Sequence, residues 1–206
     1  MRFTPDSKFM TFCIRLVELT KLNLLWLFCC LPVFTAGAAT TAMLTCLYAW
    51  KAQEPCGGKV FFAAFRKCFG KATALWLGAL FFGVMLVVDY MIVAYLTFPG
   101  RMAVIVVLFF LLGALVLFCG MIFPLVSQFP GTIKEMLVNA ILLSLANLPK
   151  MLLVTAANLM PLLLGLLLPQ VFILLGFVWL ICGFALIGLY DITVIEQIFA
   201  PFRKSE

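Results

Sequence analysis

A chain of 206 residues that is 66% apolar and only 11% charged, with a mean hydropathy of +1.24, cannot coat a water-soluble globule, because soluble domains average roughly 45–50% apolar and about 25% charged residues. The composition places it in a bilayer and excludes disordered, collagenous, disulfide-stapled secreted and free nucleic-acid-binding classes. With no histidine, Ser-His and Cys-His nucleophile pairs, His-ligated zinc and a histidine switch are excluded as well, and the net charge of +6 is read as basic residues held in cytoplasmic loops.

From Thr4-Pro5-Asp6-Ser7, a cluster of helix-start residues, a first helix is predicted to about Leu31, where Pro32 stops it. Arg15, Glu18 and Lys21 occupy its first half, so the apolar span is 17–34, and Glu18 and Lys21 are spaced to pair. Leu22 to Phe34 followed by Ala36-Gly37-Ala38 has the look of a signal peptide, but a 21-residue leading region containing Asp6 and Glu18 favours a retained helix. The second span, 36–51, is built on small residues and closes a tight hairpin with the first. Both spans are short enough that a re-entrant hairpin stays open beside two full crossings.

Residues 51–71 carry five basic side chains against Glu54, with Pro55 and Gly57-Gly58 as breakers, and read as a cytoplasmic loop. Within it, 59–70 sets Phe61, Phe62, Phe65 and Phe69 on one side of a helix and Lys59, Arg66, Lys67 and Lys71 on the other. That pattern predicts an interfacial helix whose basic side meets anionic lipid headgroups at roughly 1 kcal/mol per Lys or Arg, its phenylalanines in the acyl boundary. A helix packed on the bundle needs the same stripe.

Spans follow at 72–98 and 102–126, joined by Pro99-Gly100-Arg101, with a kink expected at Pro124. A second short, non-spanning helix is expected at 132–146, then spans at 151–168, containing Asn158 and Pro161, and at 171–190. The fold class is all-α, a polytopic membrane protein of about six transmembrane helices plus interfacial helices, arranged as one domain. With both termini inside, every Lys and Arg except Arg101 is cytoplasmic, thirteen of fourteen, as the positive-inside rule requires. A basic or polar helix leads into a membrane hairpin twice, at 59–126 and 132–190, a weak architectural repeat.

Asp89 is the one acid deep in an apolar run, where a carboxylate costs roughly 2.5–3.5 kcal/mol on insertion scales. It reads either as structural, paired with Arg101, a tyrosine or outer water, or as a proton- or substrate-handling group. Asp191, at the cytoplasmic end of the last span, reads as solvated. Asn23, Asn139, Asn147 and Asn158 put amides in or beside hydrocarbon, where interhelical hydrogen bonds average about 0.6 kcal/mol. Asp89, Asn147 and Asn158 are the intramembrane polar candidates. No Walker A, GxGxxG, GxSxG, HExxH or DxD-type motif occurs. The eight cysteines contain no CxxC pair and read as small hydrophobes. No catalytic residue, cofactor or metal site is expected.

The run Lys21-Leu22-Asn23-Leu24-Leu25-Trp26, followed by Leu31-Pro32-Val33-Phe34-Thr35-Ala36-Gly37-Ala38-Ala39 and Ala42, resembles the signature of the YesL family, small bacterial integral membrane proteins grouped under a domain of unknown function. The Phe61 to Phe69 stretch and Ala74-Leu75-Trp76-Leu77 are similar to that family too. The resemblance covers roughly residues 9–80, and Ala38 stands where members often carry proline. It implies a multi-pass protein of the bacterial cytoplasmic membrane, often encoded beside carbohydrate importers of the ABC class, their sugar-binding lipoproteins and sensor kinases, in a family with no established enzymatic activity. In the residues themselves, Asn23 and Trp26 share a helix face, Pro32 ends that helix, Thr35 can cap the next, and Gly37 with the following alanines permits close backbone approach. Such a motif serves packing, or docking of a partner or ligand. Two functions are therefore expected: a non-enzymatic accessory or regulatory protein bound to importer subunits or a sensor kinase, or a small transporter or channel using Asp89, Asn147 and Asn158.

Overall fold

The computed structural model describes residues 8–54 and 56–203, which are helical nearly throughout, with no strand among them. In chain order they form α1 (Lys8–Cys30), a 3-10 turn (Val33–Thr35), α2 (Ala36–Lys51), α3 (Gly58–Tyr95), α4 (Arg101–Gln128), α5 (Ile133–Ala146), α6 (Leu148–Leu167), α7 (Pro169–Leu174), α8 (Gly176–Val178), a π-helical turn (Trp179–Gly183) and α9 (Phe184–Arg203). Five stretches among the described residues are long and apolar enough to cross a membrane: Val33–Lys51, Gly58–Tyr95, Arg101–Gln128, Leu148–Leu167 and Gly176–Pro201. This is a membrane protein. The first of the six expected spans falls outside that set, since α1 carries Arg15, Glu18 and Lys21 within its 23 residues.

The α1–α2 hairpin is antiparallel and pinned at both ends. Near its open end Trp50 Nε1 donates to Glu18 Oε2 at 3.0 Å, and the Arg15 guanidinium lies 5.4 Å from the Trp50 ring centre, a cation–π contact. Glu18 is thus held by Trp50 on α2. Near the tip, Trp26 Nε1 donates to Thr40 Oγ1 at 3.1 Å.

α3 is one uninterrupted helix of 38 residues, about 57 Å long, so residues 59–70 are continuous with the span beyond them and do not form a separate interfacial helix. No proline interrupts this stretch, and a lone Gly70 costs only about 1 kcal/mol relative to alanine. The reason for the continuity is a stripe of period 3.5: Phe61, Ala64, Ala72 and Leu75 are buried, and Cys68 packs among them, along the flank of α2. The stripe crosses the expected boundary without a break.

At the far end of that contact, Gly37 of α2 meets Ala72 and Trp76 of α3, and Trp76 Nε1 donates to the Val33 carbonyl at 2.7 Å. The hairpin tip therefore ends beside Trp76, while α3 continues for another 19 residues to Tyr95, about 28 Å further. α4 returns antiparallel along it, with ring contacts Trp76–Phe123 at 6.1 Å and Tyr90–Phe109 at 5.6 Å. The distal halves of α3 and α4 project beyond the α1–α2 tip with apolar side chains exposed on most faces. The core lies at the opposite end, where Leu47, Phe61, Met121, Met151, Ile192 and Phe199 are fully buried.

α5 begins on a capping box: Thr132 Oγ1 accepts the Glu135 N–H at 3.3 Å and Glu135 Oε2 accepts the Thr132 N–H at 2.9 Å, two otherwise orphaned donors satisfied reciprocally. Thr132→Ala is expected to cost about 1 kcal/mol, read as a lower unfolding midpoint in detergent with unchanged helix content. α6 runs through Pro161 without a break. The last span, expected as one helix over 171–190, is instead split into α7, α8, a π-helical turn and α9, and α9 carries on to Arg203.

Candidate functional site

The split in the last span explains the first motif residue. A π-helical turn is wider than an α-turn and disturbs the regular ladder of backbone bonds, so its edges need partners from elsewhere. Asn23 of α1 supplies them. Fully buried, it donates from Nδ2 to the carbonyls of Trp179 at 3.1 Å and Leu180 at 2.7 Å, and its Oδ1 accepts the Ala185 N–H at 3.0 Å. Only an amide side chain can donate twice and accept in that arrangement. One turn later, the Trp26 ring packs 4.8 Å from that of Phe184, so this face of α1 seats α9.

The rest of the motif builds the hairpin tip. Pro32 follows the end of α1, in extended conformation. Thr35 stands at the N-cap position of α2 but makes no side-chain cap. Its hydroxyl turns back to the carbonyls of Cys29 and Pro32, which corrects the capping role expected for it: Thr35 already has helical backbone angles, φ −90° and ψ −5°, unlike the extended residue a side-chain cap uses, and it closes the turn instead. Gly37 permits the approach to α3. Asn23, Trp26, Pro32, Thr35 and Gly37 thus fit α1 and α2 to α9 and α3.

A second constellation brings together Asn158 of α6 and Asp191 of α9. Asn158 Nδ2 donates to Asp191 Oδ2 at 2.7 Å and to the Val154 carbonyl at 2.9 Å. Asp191 is only 8% exposed, which overturns its reading as a solvated group at the membrane edge. Its Oδ1 is buried without a hydrogen-bond partner among the described residues. Both residues line a cavity of about 220 Å³ that also touches Trp26, Thr40, Gly120 and Pro124. Pro124 lies inside α4 and has no N–H, so the Gly120 carbonyl one turn before it lacks its helical donor. Within mostly apolar walls the cavity thus gathers Asp191, Asn158, Thr40 and Gly120.

The three intramembrane polar candidates do not meet. Asn147 bonds back to the Leu143 carbonyl at 3.2 Å, at the junction of α5 and α6. Asp89 is half-buried on the projecting part of α3. It does not pair with Arg101, whose Nη2 donates to the Ala94 carbonyl at 2.8 Å, and it has no hydrogen bond or ion pair among the described residues. Asn158 has a polar partner on another helix, and that partner was missed. A signal was present: Asp191 stands in an otherwise apolar run from Phe184 to Ile195, broken only by Tyr190 and Thr193.

Lys59, Arg66, Lys67 and Lys71 are exposed on the first half of α3, with Lys71 Nζ donating to the Gly131 carbonyl at 2.6 Å. No group of three or more His, Cys, Asp or Glu that could hold a metal ion occurs among the described residues.

Residues 19–90 match the family described as "Protein of unknown function, DUF624", the domain family that includes the YesL proteins. The matched stretch holds the whole hairpin motif and Asp89, whereas the backbone groups bound by Asn23, and both Asn158 and Asp191, lie beyond it. No curated protein and no solved structure matches the chain.

Proposed function

We propose that this membrane protein, with its DUF624 domain, is a non-enzymatic accessory or regulatory protein of the bacterial cytoplasmic membrane that docks against the subunits of a carbohydrate ABC importer or against a sensor kinase. The observation that carries the reading is Asp89 on the projecting α3–α4 hairpin. Lipid satisfies the apolar side chains around it, but a carboxylate there costs roughly 2.5–3.5 kcal/mol, and no donor from the described residues reaches it. A partner helix presenting a Lys, Arg or amide at that depth removes the cost. In this reading both termini and residues 51–71 are cytoplasmic, and Lys59, Arg66, Lys67 and Lys71 meet anionic headgroups.

Affinity purification in mild detergent is expected to recover importer or kinase subunits with the wild-type protein. Asp89→Leu is expected to lose them while staying monodisperse, since the change adds no cavity and removes a charge. Repeated recovery of the wild type alone would overturn the reading.

A second reading, a small transporter or channel, draws on the Asp191–Asn158 cavity and no longer on Asp89 or Asn147. It requires solute flux into reconstituted vesicles above that of empty ones.

A further inference from the structure

We propose that the Asp191 cavity is a binding site for a single monovalent alkali cation. The proposal is independent of the docking reading above and stands whether or not the ion crosses the membrane.

The first ground is uncompensated charge. Asp191 has one oxygen bonded to Asn158 and the other buried and unpartnered, and no Lys or Arg lines the cavity. A buried carboxylate without a counter-charge is costly, by several kcal/mol even after relaxation. The nearest ion pair along α9, Lys51–Glu196, lies five residues on, about 7.5 Å of helix rise, and does not reach the cavity. Either a proton on Oδ1 or a cation beside it removes that cost, and the surrounding donor set favours the cation.

The second ground is the donor set. Thr40 and Gly120 line the same cavity: the Thr40 hydroxyl accepts from Trp26 Nε1, and the Gly120 carbonyl lacks its helical donor because of Pro124. Asn158, which also lines the cavity, uses its nitrogen for both of its bonds, leaving its amide oxygen uncommitted among the described residues. These are hard oxygen ligands, three neutral and one anionic. Calcium and magnesium sites draw on more carboxylates or on substrate phosphates, and no cluster of three acidic or sulfur ligands occurs among the described residues. One formal negative charge with neutral oxygens suits Na⁺ or K⁺. The cavity of about 220 Å³ also leaves room for waters, each taking about 30 Å³, to complete the shell. Carbonyls freed at helix breaks, set beside a carboxylate within the membrane, are a recurrent means of holding such ions.

The test is titration of the purified protein in detergent with NaCl, KCl or choline chloride at constant ionic strength. Tryptophan emission is followed, since Trp26 lines the cavity, together with the thermal unfolding midpoint. Saturable changes with Na⁺ or K⁺ that choline does not produce are expected. Asp191→Asn is expected to weaken binding at least tenfold, as read from the titration midpoint. Pro124→Ala restores an N–H to the Gly120 carbonyl and favours the helix, so it is expected to weaken binding several-fold without lowering the salt-free midpoint. That variant keeps the proposal testable even if Asp191→Asn fails to fold. Equal responses to choline and the alkali cations, tighter binding of a divalent ion, or full affinity in both variants would each overturn it.

Discussion

Asn23→Leu is expected to lower stability by about 2–4 kcal/mol, the largest loss from any single substitution at the motif. Leucine keeps the branched skeleton of asparagine but is bulkier, so the change removes three hydrogen bonds, two to the carbonyls of Trp179 and Leu180 and one from the Ala185 N–H, and adds crowding at a fully buried site. Three average interhelical bonds in a membrane, at about 0.6 kcal/mol each, set the lower figure. The upper reflects buried backbone groups left without partners, at about 1–3 kcal/mol apiece before relaxation. Asn23→Asp is no rescue, because a carboxylate cannot donate to the two carbonyls. The measurement is the denaturation midpoint in detergent, followed by the emission of Trp179, which sits in the π-helical turn. A loss below about 0.6 kcal/mol would mean that the turn is held by packing alone.

The second large effect is expected at Gly37→Ala, and its sign is opposite to what helix propensity suggests. In α2, alanine should gain about 0.8–1 kcal/mol over glycine. A Cβ at this position, however, would lie 2.5 Å from Trp76 Cβ and 2.7 Å from the Ala72 carbonyl oxygen. Those atoms belong to the root of a side chain and to the backbone, so no rotamer change clears them and the two helices must part. Overpacking of this kind costs about 1–3 kcal/mol, and here it also pulls Trp76 from the Val33 carbonyl. Gly188→Ala is the control. Its Cβ would meet Leu47 Cδ1 at 2.8 Å and Met43 Cε at 3.2 Å, the ends of flexible chains that can turn aside. Unfolding midpoints of the pair should diverge, with Gly37→Ala clearly lowered and Gly188→Ala within about 0.5 kcal/mol of the parent. Equal midpoints would show that the α2–α3 contact yields freely.

The membrane character and the hairpin formed by the first two helices were legible because both rest on local signals: a long apolar run, a proline stop and a cluster of small residues. α2 starts on the small residues Ala36-Gly37-Ala38-Ala39. The continuity of α3 was obscured by its own phenylalanines. Phe62 and Phe69 are exposed, yet they dominate any hydropathy pattern, whereas the stripe that holds the helix to α2 is written mostly in alanine and cysteine. At Asp191 the end of the apolar stretch was equated with the start of water. α9 runs on to Arg203, and the carboxylate is covered by neighbours more than thirty residues away in sequence. Asn158 was picked out by the cost of an amide in hydrocarbon, but that cost names no partner. The role of Asn23 was the least accessible, because nothing in the last span announces a π-helical turn that needs two acceptors and one donor satisfied from outside.

The short reach of the α1–α2 hairpin, whose tip ends beside Trp76 well before the α3–α4 turn, bears on how sidedness is counted. A hairpin leaves and returns by the same door, so it adds either two crossings or none. The compartment assigned to everything after Gly58 is therefore indifferent to the depth its tip attains. The reading of the basic stretch as cytoplasmic survives a change in the total from six to four, and the α1–α2 hairpin is a wedge whose insertion leaves the parity of the chain untouched.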